Sequence, residues 1–255
     1  MHPRFLLIAL FAVIGSYAFG TNDVPAARPP QTTVVSGTMG LTFVNGSTDS
    51  QTFNFLAAVD RSHKSVDNIH LDCGYFFSRQ TTADNSAYNI ASNFAFINGR
   101  YDRNVSPKLA VYGSVGFRED NPNNLSLRSL YGTGLSYNVH EGKVWKWNLS
   151  GGFAYLTQAY TGGSPRTETP SAAFGSQYNR SIGTHVEIAH TLSYIPAFSD
   201  FSNYVMTSVF SLGYQISKPL KLTINNVVDY QSDPSAGGLK KNSQWFVGLS
   251  FGGHA

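Results

Sequence analysis

The end of the chain alternates between two kinds of side chain, and this alternation constrains the fold more than any other feature. In the run WFVGLSF, one side of an extended strand carries four large apolar residues: Trp245, Val247, Leu249 and Phe251. The other side carries Phe246 and two small residues. A strand with one wholly apolar face needs an apolar environment on that face. Whether this environment is a protein core or lipid depends on how often the pattern recurs.

The same alternation recurs along most of the chain. Between Lys108 and Arg118, for example, Leu109, Val111 and Phe117 oppose the lysine, the arginine, a tyrosine and small residues. Alternating segments lie near 32–43, 51–60, 68–79, 88–102, 108–118, 125–139, 145–157, 172–180, 185–196, 203–216, 219–230 and 243–252. Strands in soluble sheets average about 5–6 residues, whereas a tilted strand that crosses a bilayer needs about 9–11. The pattern predicts an all-β, closed, transmembrane, antiparallel up-and-down β-barrel of about twelve strands.

Two of these segments are ambiguous. In 88–102, Phe94 and Phe96 occupy one face while Ile97 and Tyr101 occupy the other, which indicates a β-bulge or an inward aromatic residue. In 203–216 most large residues share one face, but Val205 and Val209 reduce the contrast between the faces.

Composition and charge exclude several classes. Only 13% of the 255 residues are charged, about half the share in an average globular domain. The 14 Tyr and 18 Phe favour β structure. Past the N-terminus, no apolar run reaches the ~18 residues of a transmembrane helix. The near-neutral charge, formally +3 for the whole chain, argues against a nucleic-acid partner.

The N-terminal residues resemble an export signal. Arg4 precedes an apolar run from Phe5 to Ile14, and small residues follow as far as Gly20. We predict a signal peptide at residues 1–20, a short periplasmic segment at 21–31 and a barrel at 32–255. The chain has one cysteine, Cys73, so the exported protein cannot form an internal disulfide.

The connections between segments predict the orientation of the barrel. Those after even-numbered segments are compact, whereas residues 158–171 and 231–241 are long and rich in Gly, Ser, Pro and Thr. Because bacterial barrels have short periplasmic turns and longer outer loops, both termini are predicted to lie in the periplasm. Indole rings favour the membrane–water interface. The predicted interface aromatics are Trp145 and Trp147 at the periplasmic rim, Trp245 at the outer rim, and Phe251.

The order of several short motifs resembles the DUF481 family of salt-induced outer-membrane proteins. The motifs are Asn45-Gly-Ser-Thr-Asp49, Arg100-Tyr-Asp-Arg103, Tyr112-Gly113, Arg128-Ser with Tyr131-Gly-Thr-Gly-Leu-Ser-Tyr137, and Asn148-Leu-Ser-Gly-Gly-Phe-Ala-Tyr155. The resemblance extends over nearly all of the mature chain. It implies an outer-membrane β-barrel and supplies no catalytic residues.

Enzymatic and metal-binding sites have little support in the sequence. A lipid-facing hydrolase needs a histidine beside a nucleophile, but Leu192 lies two residues after His190, and Asp72 lies two residues after His70. His63, His140 and His185 have no second ligand at a useful spacing. We therefore predict a protein that is not an enzyme and has no cofactor or metal.

The inner face of the predicted barrel carries charges of both signs. By alternation the inward residues are Asp60, Asp72, Arg100, Asp102, Lys108, Arg118, Arg128, Lys146, Glu187, Lys221 and Asp229. They form either ion pairs that stiffen the wall, which we favour, or a lining that selects a small solute or ion. Mixed signs cancel much of the field that a strongly selective pore requires.

Three functions follow from this reading. The protein is a structural or envelope-stress barrel, a narrow diffusion channel, or a soluble exported barrel that binds a ligand inside. The apolar outer faces argue against the third, because water would have to cover them. The predicted partners are outer-membrane lipid and the barrel-assembly machinery, and the sequence does not decide the oligomeric state.

Overall fold

The computed structural model describes residues 31–44, 48–63, 66–82, 89–161, 166–234 and 240–254. The predicted signal peptide and most of the predicted periplasmic segment lie outside the described residues.

The described residues form one closed barrel of antiparallel strands, in which each strand pairs with its neighbours in chain order and the last strand pairs with the first. The strands are β1 (Gln31–Val44), β2 (Thr48–His63), β3 (Asp67–Thr82), β4 (Asn89–Asn104), β5 (Leu109–Asp120), β6 (Leu125–Glu141), β7 (Trp145–Tyr160), β8 (Thr167–Ile182), β9 (Val186–Pro196), β10 (Tyr204–Ser217), β11 (Leu220–Gln231) and β12 (Lys241–His254). A single 3-10 turn, Asn121–Asn123, lies between β5 and β6. The predicted twelve-stranded, antiparallel barrel is confirmed.

The outer wall of the barrel is apolar, as the alternation predicts. Phe43, Phe153 and Trp245 each expose about two thirds of their surface, at 67%, 66% and 67%. Large apolar residues are exposed in the same way on strands all around the barrel. Water would be a poor solvent for such a wall, whereas lipid chains match it. Closure also leaves no unpaired strand edge, which a bilayer would not tolerate. The barrel therefore spans a membrane.

The connections divide into two sets by length. Those after even-numbered strands contain two to four residues and define the short-turn end, where β1 begins and β12 ends. Those after odd-numbered strands contain three to nine residues and define the long-loop end. Among the described residues, no helix is long and apolar enough to cross a bilayer.

One predicted loop is shorter than the sequence indicated. Residues 158–171 were predicted as a connection, but β7 continues to Tyr160 and β8 begins at Thr167. The alternating pattern did not predict this extension, because the residues before Ser171 are polar and residue 170 is a proline. Pro170 is tolerated because the continuous ladder between β8 and β9 ends at Phe174 and Tyr194, with one isolated bridge beyond it at Ser171 and Ala197.

Both ambiguous segments have a structural explanation. The β3–β4 register shifts between Ser78 and Arg79, opposite Ser92 and Ile90, so β4 contains the expected irregularity. Phe94 is buried inside the barrel. In β10, Val209 packs against the same interior cluster, which explains the weak contrast between the two faces of that strand.

Candidate functional site

An apolar plug fills the long-loop half of the lumen. It consists of Phe76, Phe94, Val227 and Phe246, which are all buried, and Leu56, Phe96 and Val209 pack against it. The rings of Phe76 and Phe94 stack at 4.5 Å, and Phe246 meets Phe76 edge-on at 5.6 Å. Because β3, β4, β11 and β12 contribute to one cluster, side chains from well-separated strands meet inside the barrel.

A buried ion layer lies beside the plug, toward the long-loop end. It consists of Arg118, Asp120, Arg128 and Asp229. Arg118 contacts Asp120 at 2.9 Å and Asp229 at 3.3 Å, and Arg128 contacts Asp229 at 3.5 Å. β5 and β11 lie six strands apart in the ring, directly opposite one another. The contact between Arg118 and Asp229 therefore crosses the lumen from wall to wall.

The ion layer is connected to the plug and to a chain of amides. The guanidinium of Arg118 lies 4.3 Å from the centre of the Phe94 ring, a cation–π contact. Arg128 donates to the Gln231 side-chain oxygen at 2.5 Å, and the amide of Gln158 donates to the same oxygen at 3.3 Å. Gln231 in turn donates to the hydroxyl of Tyr160 at 3.2 Å. These bonds tie β6, β7 and β11 together across the lumen.

The short-turn half of the lumen is largely polar. His70 lies between two carboxylates, with Nδ1 2.6 Å from Asp60 and Nε2 3.1 Å from Asp72. The side chain of Asp60 is 54% exposed, which shows that solvent reaches this level. Arg100 donates two 2.8 Å hydrogen bonds to Asp102. Its guanidinium also lies 4.0 Å from the centre of a tyrosine ring on β5.

The remaining predicted lumen residues lie near the short-turn end. Lys221 and Glu187 form an ion pair that crosses β10, where Gly213 leaves room for the lysine side chain. Lys146 is exposed near the start of β7. Lys108 was predicted as a wall residue, but it lies in the exposed bend before β5. That strand begins one residue later because the chain turns at Ser106, whose hydroxyl accepts the backbone N–H groups of residues 108 and 109.

The predicted interface aromatics lie near the two ends of the barrel. Trp145 begins β7 at the short-turn end and stacks on His140 at 3.7 Å. Trp147 donates its indole N–H to Ser176 at 3.1 Å. Trp245 lies near the long-loop end of β12, and Phe251 lies near its short-turn end. Trp245 and Phe251 are both exposed on the outer wall.

A cavity of about 110 Å³ lies at the long-loop end of the barrel, between the ends of β7, β8, β9 and β10. Its lining includes the polar side chains of Gln158, Tyr160, Thr169 and Asn203. Three members of the ion layer, Asp120, Arg128 and Asp229, line a second, much smaller pocket together with Gln231. The long-loop half therefore keeps some space that the plug does not fill.

Comparison with known proteins identifies the family. The model described as "Protein of unknown function, DUF481" matches residues 37–252. The chain belongs to the DUF481 family. This match confirms the resemblance that the motifs indicated. No curated protein matches the sequence.

Several solved membrane barrels resemble this DUF481 barrel in shape. A NanC porin structure is 15% identical, with 86% of this chain and 98% of that chain covered and a TM-score of 0.46. A KdgM porin is 10% identical, with coverages of 87% and 98% and a TM-score of 0.42. The COG4313 outer membrane channel from Pseudomonas putida F1 is 11% identical, with coverages of 91% and 100% and a TM-score of 0.46. All three scores are below 0.5, so nothing about the function of this DUF481 protein follows from them.

One histidine has a hydroxyl partner that the sequence did not reveal. His190 Nε2 lies 3.0 Å from the Ser208 hydroxyl on the next strand. Spacing along one strand cannot detect such a pair. Among the described residues, no hydrogen bond is made by the other ring nitrogen, so nothing orients the imidazole as a catalytic base requires. No metal-binding cluster of His, Cys, Asp and Glu occurs in the same part of the chain.

Sequence reasoning also missed several residues inside the lumen. Asp120 was predicted to lie beyond its strand, although its spacing of two from Arg118 was a usable signal. His70 was interpreted as an ordinary strand residue. Phe76 lies between Tyr75 and Phe77, so three consecutive aromatic residues gave no contrast between the two faces.

Proposed function

We propose that this protein is a non-enzymatic, integral outer-membrane barrel with a structural or envelope-stress role. Its short-turn end faces the periplasm and its long-loop end faces the cell exterior. This orientation is supported by the division of connection lengths and by the start of β1 and the end of β12 at the short-turn end. A cleaved signal peptide delivers the chain, the barrel-assembly machinery inserts it, and outer-membrane lipid surrounds it.

One observation carries the structural role: side chains close the lumen in its outer half. The apolar plug excludes water, and the contact between Arg118 and Asp229 spans the full width of the barrel. Ions cannot pass a dry apolar constriction without losing their hydration, which is costly. A barrel sealed in this way contributes mechanical continuity to the membrane and little transport.

The conductance of the purified protein in planar bilayers tests this proposal. We expect a small conductance with weak ion preference. Fractionation with outer membranes, and gel migration that changes on boiling, establish first that the barrel is folded and correctly located. A large, steady conductance in the unmodified protein, or strong preference for one ion sign, would contradict the structural role.

A narrow channel is the second candidate, and the polar short-turn half of the lumen favours it. The side chain of Asp60 is 54% exposed there, and a cavity of about 110 Å³ with several polar lining residues lies at the long-loop end. If the ion layer limits passage, replacing Arg118 or Arg128 with Ala should raise the conductance, because a bridging side chain is lost. Lys146→Ala is the control, because Lys146 lies at the exposed periplasmic rim. Equal conductance in all four proteins would exclude the ion layer as the barrier.

The envelope-stress role includes a response to salt, which the family resemblance suggests. A strain lacking this gene should grow more slowly than its parent at raised salt and equally well at low salt. Restoring the full chain should recover growth. Equal growth of both strains at raised salt would contradict the salt response. The structural role would then still be tested separately by the conductance measurement.

A further inference from the structure

The lipid-facing wall carries one polar patch on neighbouring strands. We call His190 of β9, Ser208 of β10 and Asn226 of β11 the mid-wall polar patch. Asn226 shares its face with Leu222 and Ile224, which are exposed on the outer wall. His190 and Asn226 both lie directly opposite Phe210 in the ladders, so all of these side chains point outward together.

The patch lies at the depth of the lipid chains. His190 is the fifth residue of the 11-residue strand β9, which is only long enough to cross the hydrocarbon layer. Asn226 is the seventh residue of the 12-residue strand β11. At this depth there is no water to satisfy polar groups, and lipid headgroups lie too far away. Polar side chains in spanning segments accordingly tend to mark contacts with other protein surfaces.

The hydrogen bonds within the patch leave two of its polar atoms without a partner among the described residues. His190 uses Nε2 for Ser208 at 3.0 Å, and the Asn226 amide donates to the Gln244 carbonyl at 3.2 Å. Within the part of the chain that the structure describes, Nδ1 of His190 and Oδ1 of Asn226 make no hydrogen bond. These two atoms can serve as a donor and an acceptor for each other, since Nδ1 carries the proton when Nε2 accepts from the serine.

Two other outward polar residues differ in this respect. Thr133 donates to the carbonyl of Tyr112 at 3.0 Å, and Ser176 accepts the indole N–H of Trp147 at 3.1 Å. Both hydroxyls are therefore satisfied within the chain, and lipid can cover them. The mid-wall polar patch, by contrast, combines histidine and asparagine atoms that remain without a partner within the described ranges.

We propose that the mid-wall polar patch binds a second copy of this chain. A two-fold axis parallel to the membrane normal would place β10 against β10 of the other copy, and β9 against β11. This arrangement brings the histidine of each copy toward the asparagine of the other, so one self-complementary surface satisfies both unpaired atoms twice. The interface goes beyond the proposed function, since it exists whether or not the lumen conducts.

Thiol cross-linking in native membranes tests the interface. Leu212 lies on the outer face of β10, and Leu212→Cys in a Cys73→Ala background places one thiol near the proposed axis. We expect oxidation to convert most of this protein to a disulfide-linked dimer. The unmodified chain is the control, because its own Cys73 lies on β3, five strands away. Equal cross-linking at both positions, or none at Leu212→Cys, would overturn the proposal.

A second measurement distinguishes dimerisation through the polar patch from nonspecific contact between barrels. His190→Leu with Asn226→Leu replaces the polar atoms by groups that lipid covers well. We expect the fraction of dimer in mild detergent to fall at least tenfold while the heat-sensitive gel migration of the folded barrel is kept. Ile188→Leu with Ile224→Leu, on the same strands, should leave the dimer intact. An unchanged dimer in the first variant, or a monomeric parent protein, would contradict the assignment.

Discussion

Asp229 is the residue on which the closure of the lumen depends most. It contacts both arginines of the ion layer and accepts the Thr207 hydroxyl at 2.8 Å. Arg128 is 7% exposed, so water cannot replace the lost carboxylate. Removing one member of a buried ion pair typically costs about 3–5 kcal/mol, because the remaining charge is left without compensation. The two arginines would in addition repel each other.

We therefore expect Asp229→Ala to lower the free energy of unfolding by about 3–5 kcal/mol. Urea unfolding of the barrel in lipid vesicles, followed by its gel migration, measures the loss. Asp60→Ala is the matched control, since Asp60 is a solvated partner of His70 and such pairs contribute about 1 kcal/mol or less. Similar losses in the two variants would show that the ion layer is not a stabilising closure.

The lone thiol tests the outward orientation of β3. Cys73 is partly exposed and shares its face with Leu71 and Tyr75, which are exposed on the outer wall. A bulky water-soluble maleimide should label it poorly in intact membranes, because lipid covers that face, and well after unfolding. Thr191→Cys in a Cys73→Ala background is the comparison. Thr191 is exposed on the lumen face of β9, whereas Cys73 lies on the lipid face of β3. Rapid labelling of native Cys73 would mean that β3 faces the other way.

At the scale of single strands, alternation located all twelve elements, because lipid on one side and the lumen on the other impose a period of two. The ends of the strands were less predictable. Residues beyond the hydrocarbon layer need no apolar outer face, and so the start of β8 at Thr167 carried no signal. The alternation along β5 also identified Arg118 as an inward charge. It contains no information about which side chain faces Arg118 from the opposite side of the barrel. The contact with Asp229 therefore required the structure.

Glycines set the closest approach between two strands. Gly134 of β6 and Gly152 of β7 are paired, and a Cβ at these positions would lie 2.3 Å and 2.1 Å from backbone oxygens of the opposite strand. Backbone atoms cannot move aside as a flexible side chain can. The two strands would have to separate, and overpacking of this kind typically costs about 1–3 kcal/mol or more.

Gly134→Ala and Gly152→Ala should accordingly reduce the yield of folded barrel. Gly113→Ala and Gly151→Ala are matched controls within β5 and β7, since an added Cβ there meets nothing within 4 Å. The folded fraction, measured from gel migration before and after boiling, should fall for the first pair and stay unchanged for the second. If all four variants fold alike, the close approach of β6 and β7 does not limit assembly.

For the molecule as a whole, the difference between the two halves of the lumen predicts that reagents can enter the lumen from the periplasm but not from the cell exterior. The short-turn half contains exposed polar residues such as Gln177, near the short-turn end of β8, whereas Ser92 lies buried at the level of the plug. A reagent that enters from the periplasm should therefore reach residue 177 and stop below residue 92. A reagent outside the cell should reach neither, because the ion layer and the plug lie between the exterior and residue 177, and residue 92 is itself buried.

Single cysteines at these positions, in a Cys73→Ala background, test this asymmetry. A linear polymer maleimide too large for general porins should leave Gln177→Cys unlabelled in intact cells and label it once the outer membrane is permeabilised. Ser92→Cys should stay unlabelled until the barrel unfolds. Adding Phe246→Ala to Gln177→Cys should permit labelling from outside, because this ring contacts Phe76 at the centre of the plug. Labelling of Gln177→Cys in intact cells without that change would show that the outer half is open, and the lumen would then serve as a continuous channel.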